Sequence, residues 1–332
     1  MLENIEIVDY KCFKDFKLDG LSRINIISGG NNVGKTALLE ALLLIKNSSN
    51  IRSFIQVIKF IFENRDLNKE DIERYLETIN LSFKYNEINI TIKHKYLEEL
   101  GTDEINEAER YRNEYEEFLI IKIDNVLQII PFFRISHSSM ARKENVDITF
   151  INSSKPNNSE LTKLYSSVQD LEVQDKFLNY LQIIDPNIIG IEPQLRGKDK
   201  SFLRISLVNP KQSLLSSELG EGTNRFIEIL ASLLKSSNGT VFIDEIENGI
   251  HNLKLKNIWK AIIEIVKKEE IQLFVTTHDS DTIEALVDAS KEKDYKDITS
   301  IRLIKDNQNK IQPIIMNYEN LLFGTDIGED FR

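Results

Sequence analysis

The sequence has few of the residues that cross-link a protein or anchor it in a membrane. Its one cysteine, Cys12, excludes an internal disulfide bond and a cluster of cysteines around a metal ion. Its longest apolar runs, such as ALLLI at 41–45, are far shorter than the roughly 20 residues that span a bilayer. The N-terminus also lacks the basic segment and apolar core of a secretion signal. We therefore expect a cytoplasmic protein without a membrane segment.

Positive charge is also in deficit. The chain has 42 lysines and arginines against 53 acids, which gives a formal net charge of −11. Because nucleic acids are bound by excess lysine and arginine, this balance does not support a broad nucleic-acid surface, although a local basic groove stays possible. Apolar residues are plentiful at 41%, enough for a sizeable core in one large domain or two moderate ones.

Apolar strands alternate with helical patterns at both ends of the chain. The run 23–28 leads into a glycine-rich loop and a helix, and the buried strands 240–245 and 271–277 are each followed by a helix. Residues 81–95 and 118–136 instead have the pattern of antiparallel hairpins. The sequence predicts an α/β fold with a mixed sheet, a parallel core, an N-terminal β-ribbon subdomain and a helical second lobe.

Composition divides the chain into four parts. Residues 1–136 form the first lobe, with the glycine-rich loop and with helical and β-ribbon insertions. The polar segment 137–160 is interpreted as a flexible loop between the lobes. Residues 161–236 form the helical second lobe, and 237–332 complete the core with an acidic strand end and a terminal hairpin.

The glycine-rich loop has the spacing of a phosphate-binding loop. Residues 29–36, GGNNVGKT, fit the pattern G-x-x-x-x-G-K-[ST] between a strand and a helix. Such a loop turns backbone N–H groups toward one anion, and the helix dipole adds to the attraction. Lys35 is expected to reach the terminal phosphates of ATP, and the Thr36 hydroxyl to ligate Mg²⁺. A turn that merely starts a helix is the alternative. The residues expected to hold the nucleotide are Gly29, Gly30, Asn31, Asn32, Val33, Gly34, Lys35, Thr36 and Ala37.

Two acids end the buried run Val241–Glu245, at the carboxyl end of a predicted parallel strand, where open α/β sheets bind ligands. Asp244 is expected to hold Mg²⁺, directly or through water. Glu245 is placed to polarise the water that attacks the γ-phosphate. An acidic strand end is also commonly a solvated turn, and it is the nearby phosphate loop that favours the catalytic interpretation.

His278 follows the second buried strand and is expected at the same edge of the sheet. There its side chain could sense the γ-phosphate and assist Glu245 and Lys35 in catalysis, although a lone histidine is more often structural. The other histidines, His94, His137 and His251, have no comparable context, and His251 could instead contact a partner subunit.

The phosphate loop, the acidic strand end and the histidine follow the order found in ABC-class ATPases, which include the SMC proteins. The segments 7–42, 217–234, 240–262 and 273–286, with the tail IGEDFR, resemble the OLD-like bacterial ATPases more narrowly. The resemblance covers both ends of the chain and leaves the middle unaccounted for. Because no acidic Toprim-like cluster follows His278, the chain is most similar to the stand-alone ATPases of defence systems such as Septu and PARIS.

The resemblance implies a homodimer or higher homo-oligomer that sandwiches ATP head to tail. One subunit supplies the phosphate loop and the other a signature turn, here Leu219–Thr223. The backbone N–H groups of Gly220 and Gly222 would bind the anion. Transporter ABC proteins carry a serine where this chain has Gly220, so Ser216 or Ser217 would have to supply that hydroxyl.

Three further assignments follow from the resemblance. Phe13 or its neighbour Tyr10 would stack on adenine, with packing in the core as the alternative. The segment Glu247–His251 would lie at the dimer interface. Gln128 matches, by position only, a glutamine that ABC proteins place between the lobes.

These observations lead us to expect an ATPase that uses ATP and Mg²⁺ and switches a separate effector protein, in antiphage defence. Two other functions stay open. A DNA-engaging repair ATPase of the SMC type would need long coiled-coil heptads or a basic face, and only short, weakly basic helices are visible. A scaffold that binds ATP without turnover is the other, and measured hydrolysis would exclude it.

Overall fold

The computed structural model describes residues 1–48, 50–66, 71, 81–85, 88–111, 115–132, 149–196 and 200–327. Its strands are β1 (Ile5–Tyr10), β2 (Phe13–Leu18), β3 (Ile24–Gly29), β4 (Leu81–Tyr85), β5 (Ile88–Tyr96), β6 (Glu117–Ile123), β7 (Val126–Pro131), β8 (Thr149–Ile151), β9 (Ile188–Arg196), β10 (Lys200–Leu207), β11 (Gln212–Leu215), β12 (Thr240–Ile243), β13 (Gln272–Thr276), β14 (Ile298–Lys305) and β15 (Ile311–Asn317). Its helices are α1 (Lys35–Lys46), α2 (Ile51–Asn64), α3 (Thr102–Ala108), α4 (Asn158–Asp170), α5 (Gln174–Leu181), α6 (Glu221–Lys235), α7 (Asn252–Lys268), α8 (Ser280–Lys293) and α9 (Tyr318–Asp326).

The central sheet has the described strand order β15-β14-β3-β13-β12-β8. All neighbours in it pair in parallel except β15, which is antiparallel to β14. This confirms the predicted mixed sheet with a parallel core. Because parallel strands need crossover connections, helices lie on both faces and the carboxyl ends of the strands meet at one edge.

Both faces of this sheet are buried, which explains its continuous apolar strands. On one face Phe242 and Phe274 pack in the same cluster as the residues of α1. On the other face Val241 and Val275 join the residues of α6 and α7, and Trp259 of α7 is fully buried there. Adjacent residues of a strand thus point to opposite cores, as the pleat requires.

A second sheet forms the predicted β-ribbon, with the antiparallel order β2-β1-β4-β5-β6-β7. The aromatic segment 10–16 belongs to the first hairpin of this sheet. Tyr10 faces Phe13 across a tight hairpin whose turn is confined to Lys11 and Cys12, and Phe13 begins β2. The aromatic rings at this hairpin are core residues.

The expectation of a flexible loop at 137–160 is wrong for residues 149–151 and 158–160, which lie in β8 and α4. The first half of this segment, to residue 148, and His137 with it, lie outside the described residues. Strand β8 pairs in parallel with β12 at the edge of the central sheet, and Ile151 is buried. Asn157, one of the polar residues of this segment, caps α4: its side chain accepts a hydrogen bond from the backbone N–H of Glu160. Polar residues here mark a helix start and not a linker.

The second lobe contains α4, α5 and α6 together with a small antiparallel sheet of order β11-β10-β9. The terminal hairpin β14–β15 is confirmed, and α9 follows it. Within the described residues, no helix combines the length and the apolar character needed to cross a bilayer.

Candidate functional site

The loop after β3 has the backbone that a phosphate cradle needs. Gly29, Asn32 and Gly34 all have positive φ angles, of 135°, 60° and 94°. A Cβ atom on Gly29 would lie 2.5 Å from the carbonyl oxygen of Leu303, and one on Gly34 would lie 2.5 Å from the sulfur of Cys12. Both glycines are therefore required by conformation and by close packing.

Lys35 lies across this loop. Its Nζ atom donates to the carbonyl oxygens of Gly29 at 2.8 Å and Gly30 at 3.0 Å. Burial lowers the pKa of Lys35, while Glu245 and Asp244 act in the opposite direction. The ammonium group is thus held at the rim of the loop, close to the acids that follow β12.

The predicted metal-binding residues are in contact. The Thr36 hydroxyl donates to Oδ2 of Asp244 at 2.9 Å, and the hydroxyl of Thr276 donates to Oδ1 at 2.6 Å. Asp244 is only 5% exposed. Because β12 lies next to β13 and β13 next to β3, the three side chains meet at one sheet edge. Carboxylate and hydroxyl oxygens are hard ligands of the kind Mg²⁺ takes.

Glu245 is held in a strained backbone conformation. Its φ angle is 49°, in the left-handed region, which costs a residue with a side chain on the order of 1 kcal/mol. Its backbone N–H donates to the hydroxyl of Thr276 at 2.8 Å. The carboxylate side chain is partly exposed and lines the pocket beside the phosphate loop. Thr276, which sequence reasoning missed, therefore orders both acids after β12.

His278 lies beside the same acids. Its Nδ1 atom is 3.0 Å from Oε1 of Glu247 and 3.9 Å from Oε1 of Glu245. Its backbone N–H also donates to Glu247, at 2.9 Å. Glu247 is nearly buried, and burial raises the pKa of its carboxyl group. The structure thus places His278 at the site through Glu247, an acid the sequence pointed to only as part of a dimer interface.

A pocket of about 620 Å³ opens over the phosphate loop. Six of the predicted nucleotide residues line it, namely Asn31, Asn32, Gly34, Lys35, Thr36 and Ala37. Gly29 and Gly30 contribute the carbonyl groups that Lys35 bonds, and Val33 is buried beneath the loop.

The pocket also has a cationic wall that the sequence did not reveal. Lys11, Arg65 and Lys305 line it. Glu40, buried on α1, accepts hydrogen bonds from Lys11 and from two nitrogen atoms of Arg65. Burial lowers the pKa of Lys11 to about 8, although the neighbouring Glu40 opposes this shift. These residues are far apart in the sequence, so no local motif could have grouped them.

The two aromatic candidates for adenine stacking are core residues. Phe13 is fully buried and packs under Gly34. Tyr10 is 1% exposed, and its hydroxyl donates to Glu40 at 3.1 Å. Their burial supports the alternative of packing in the core. Gln128 lies on β7, an edge strand of the antiparallel sheet, and lines no part of the described pocket.

The signature turn begins α6. None of the described residues lies within 4 Å of a Cβ atom built on Gly220, whereas one on Gly222 would lie 2.6 Å from the carbonyl oxygen of Gly249. Ser216 is fully buried and donates to Asn158 at 2.8 Å, so it is structural. Of the two serines considered as substitutes for Gly220, Ser217 is the exposed one.

The segment after Glu245 lies against this turn. Gly249, with a φ angle of 74°, packs on Glu221 and Gly222. His251 is exposed, and its Nδ1 atom accepts the backbone N–H of Leu253 at 3.3 Å, which caps α7. The turn and the segment Glu247–His251 thus form one continuous surface.

Known proteins place the chain in a family. A model described as "AAA domain, putative AbiEii toxin, Type IV TA system" matches residues 24–284, a range that includes the phosphate loop, both acids and His278. The chain belongs to this AAA family. The family and the composite of loop, acids and histidine make it an ATPase.

Its relatives agree with this assignment. A Helicobacter pylori protein named ATP/GTP phosphatase is 24% identical over 380 residues, with 97% of each chain covered. The AAA ATPase also resembles an SMC head bound to the C-winged helix domain of ScpA, with a TM-score of 0.51, 12% identity, and coverage of 96% of this chain and 98% of that one. A second SMC head, with an extended coiled coil and bound to the C-terminal domain of ScpA derived from Pyrococcus furiosus, matches with a TM-score of 0.51, 10% identity and 98% coverage of both. These likenesses show an SMC-head fold.

Proposed function

We propose that this AAA ATPase binds Mg²⁺-ATP on its phosphate loop, hydrolyses it in a head-to-tail dimer, and uses the cycle to control a separate protein. One observation carries the chemistry. The Asp244 carboxylate is bonded to the Thr36 hydroxyl, which joins the phosphate loop to the acidic strand end. Glu245 follows directly and faces the same pocket.

Each side chain has a role that its position supports. Thr36 and Asp244 would hold Mg²⁺, which would neutralise charge on the terminal phosphates. Lys35, at the rim of the loop, would bind those phosphates. Glu245, fixed by its backbone bonds, would orient the attacking water, and His278 would contact the γ-phosphate from the adjacent strand end.

The exposed signature turn supports a dimer. Gly220 occupies the N-cap position of α6 and has no side chain that could cap the helix. The first N–H groups of α6 therefore lack the hydrogen bond that a capping side chain gives. Leu253, on the neighbouring start of α7, is 85% exposed. A second subunit that placed its bound ATP on this turn would satisfy the N–H groups and cover the leucine.

The proposal also includes a separate effector protein that the ATPase controls. The narrow resemblance to the stand-alone ATPases of Septu and PARIS supports a role in antiphage defence with a partner protein. The SMC head that resembles this chain is bound to a domain of ScpA, so a head of this fold can engage another protein.

The test is hydrolysis and assembly measured together. The wild-type protein should release phosphate from ATP only with Mg²⁺, and GTP should be assayed beside it because the H. pylori relative is named for both. Glu245→Gln should lower kcat at least ~100-fold, since a positioned general base contributes that much. It should also accumulate as an ATP-bound dimer in native mass spectrometry.

The control is Glu284→Gln, which removes an exposed acid of α8. It should hydrolyse ATP and assemble as the wild type does. A Glu245→Gln protein that stays monomeric with saturating ATP would contradict the sandwich dimer. Purification of the wild type with the products of neighbouring genes then tests for the effector, and absence of any stable companion would contradict that part.

A further inference from the structure

Arg225 is a buried cation that the proposed chemistry has not used. It lies in the first turns of α6, shortly after the signature turn, and is only 3% exposed. Its Nη2 atom donates to the carbonyl oxygens of Asp244 at 2.7 Å and Glu245 at 3.3 Å. Its Nη1 atom donates to the carbonyl oxygen of Asn152 at 2.6 Å and to the carboxylate of Glu228 at 3.0 Å.

These bonds reach the backbone where the strand ladder stops. β12 ends at Ile243, so the carbonyl groups of Asp244 and Glu245 lie beyond its regular strand pairing. The carbonyl group of Glu245 also accepts the backbone N–H of Asn248 at 3.1 Å, whereas the buried carbonyl group of Asp244 takes its donor from Arg225. The planar guanidinium group can bond two neighbouring carbonyl groups at once, which an ammonium group does less well.

The backbone of Glu245 is thereby hydrogen-bonded on both sides of its Cα atom, at its N–H and at its carbonyl group. Thr276 accepts the N–H that precedes the side chain, and Arg225 donates to the carbonyl group that follows it. The residue between them has a left-handed backbone, a conformation that persists only where surroundings enforce it. Glu228, itself largely buried, balances the charge of the arginine.

We propose that Arg225 is a positioning residue for hydrolysis: it holds the backbone of Glu245 so that the carboxylate faces the nucleotide pocket. The inference rests on the proposed catalytic role of Glu245. Arg225 itself lines no part of the described pocket, so it acts through the turn and not on the nucleotide.

The experiment compares Arg225→Gln and Arg225→Lys with the wild type. Arg225→Gln should lower kcat for ATP at least ~10-fold, since small misplacements of a catalytic group cost this much or more. The Kd for a non-hydrolysable ATP analogue should change less than about threefold, because the phosphate loop is untouched. Arg225→Lys should recover part of kcat, since it keeps the charge and one donor.

A matched control separates positioning from loss of stability. Leu230→Ala creates a cavity at a fully buried residue of the same helix and leaves in place every hydrogen bond that Arg225 makes. If it lowers the Tm as much as Arg225→Gln does but leaves kcat within about threefold of the wild type, the positioning role stands. Equal losses of kcat in both variants would overturn it, as would a parallel loss of nucleotide affinity in Arg225→Gln.

The wild-type assay separates this inference from the function on which it rests. If the wild type fails to hydrolyse ATP, or if Glu245→Gln hydrolyses it normally, the proposed mechanism itself is wrong. If both behave as expected and Arg225→Gln keeps the wild-type kcat, only the role of Arg225 is refuted.

Discussion

Two glycine turns begin helices in this protein, and they differ in how complete they are. The phosphate loop before α1 is closed on itself, with Lys35 bonded to its carbonyl groups and Gly34 covered by Cys12 and Phe13. The signature turn before α6 is open, and a Cβ atom on Gly220 would have no neighbour within 4 Å in the part of the chain that the structure describes. The contacts of the first turn are complete within the chain, whereas the second turn would be one side of the proposed dimer site.

The two turns share one property, which the starts of α3 and α5 also have. Neither α1 nor α6 has a side-chain cap, whereas Asn50 caps α2, Asn157 caps α4 and Asp279 caps α8. A capping side chain satisfies an orphan N–H group of the first turn, so its absence leaves that group for an anion. In the proposed dimer, the phosphate loop would bind its phosphate without help from the second subunit. The signature turn would bind only the ATP that the second subunit carries.

The largest effect is expected at the closed turn. Lys35→Ala removes the cation from the rim of the loop and should weaken ATP binding by about 100-fold or more, the size of a lost charge-assisted contact to phosphate. Isothermal titration calorimetry with Mg²⁺-ATP measures this. Lys163→Ala, an exposed lysine of α4, is the control. An unchanged affinity of Lys35→Ala for Mg²⁺-ATP would contradict the assignment of residues 29–36 as the phosphate-binding loop.

A smaller effect should separate the two glycines of the open turn. At Gly222 a Cβ atom would lie 2.6 Å from the carbonyl oxygen of Gly249, so Gly222→Ala must shift the turn, and we expect kcat to fall about 10-fold. Gly220 has an extended backbone and open space, so Gly220→Ala should fold as the wild type does. Thermal unfolding and steady-state hydrolysis test both.

Gly220→Ala also tests whether a partner's ATP approaches the signature turn. If a partner's ATP approaches this turn, the added methyl group should weaken ATP-dependent dimerisation without a change in Tm. Sedimentation of the Glu245→Gln protein with and without the second substitution measures this. Dimerisation that is identical in the two proteins would place the partner's contact elsewhere.

The smallest effect concerns the cationic wall beside the closed turn. Burial lowers the pKa of Lys11 to about 8, so its ammonium group is charged below that pH and neutral above it. Because polyphosphate favours the charged form, affinity for Mg²⁺-ATP should fall about threefold as the pH rises from 7 to 9. Lys11→Arg, whose guanidinium stays charged, should remove this dependence. A pH profile that is the same in both proteins would exclude Lys11 from binding.

The parts of the candidate site that depend on residues close together in the sequence could be predicted. The phosphate loop needs glycines and Lys35 at fixed spacing, and the acids must directly follow a buried strand, so short motifs identify both. The parallel core could also be predicted, because strands buried on two faces are continuously apolar. The position of β8 could not, because a three-residue edge strand amid polar residues has too weak a pattern.

The phosphate loop and the acids after β12 can be identified from the amino-acid sequence alone, because the residue types and spacings they require are local. Which distant residues support them depends on the fold. Thr276, Glu247 and Arg225 reach the acidic turn from other elements, and Glu40 gathers Lys11 and Arg65 at the pocket wall. Those contacts depend on strand order and helix packing, which bring together residues that no spacing along the chain connects.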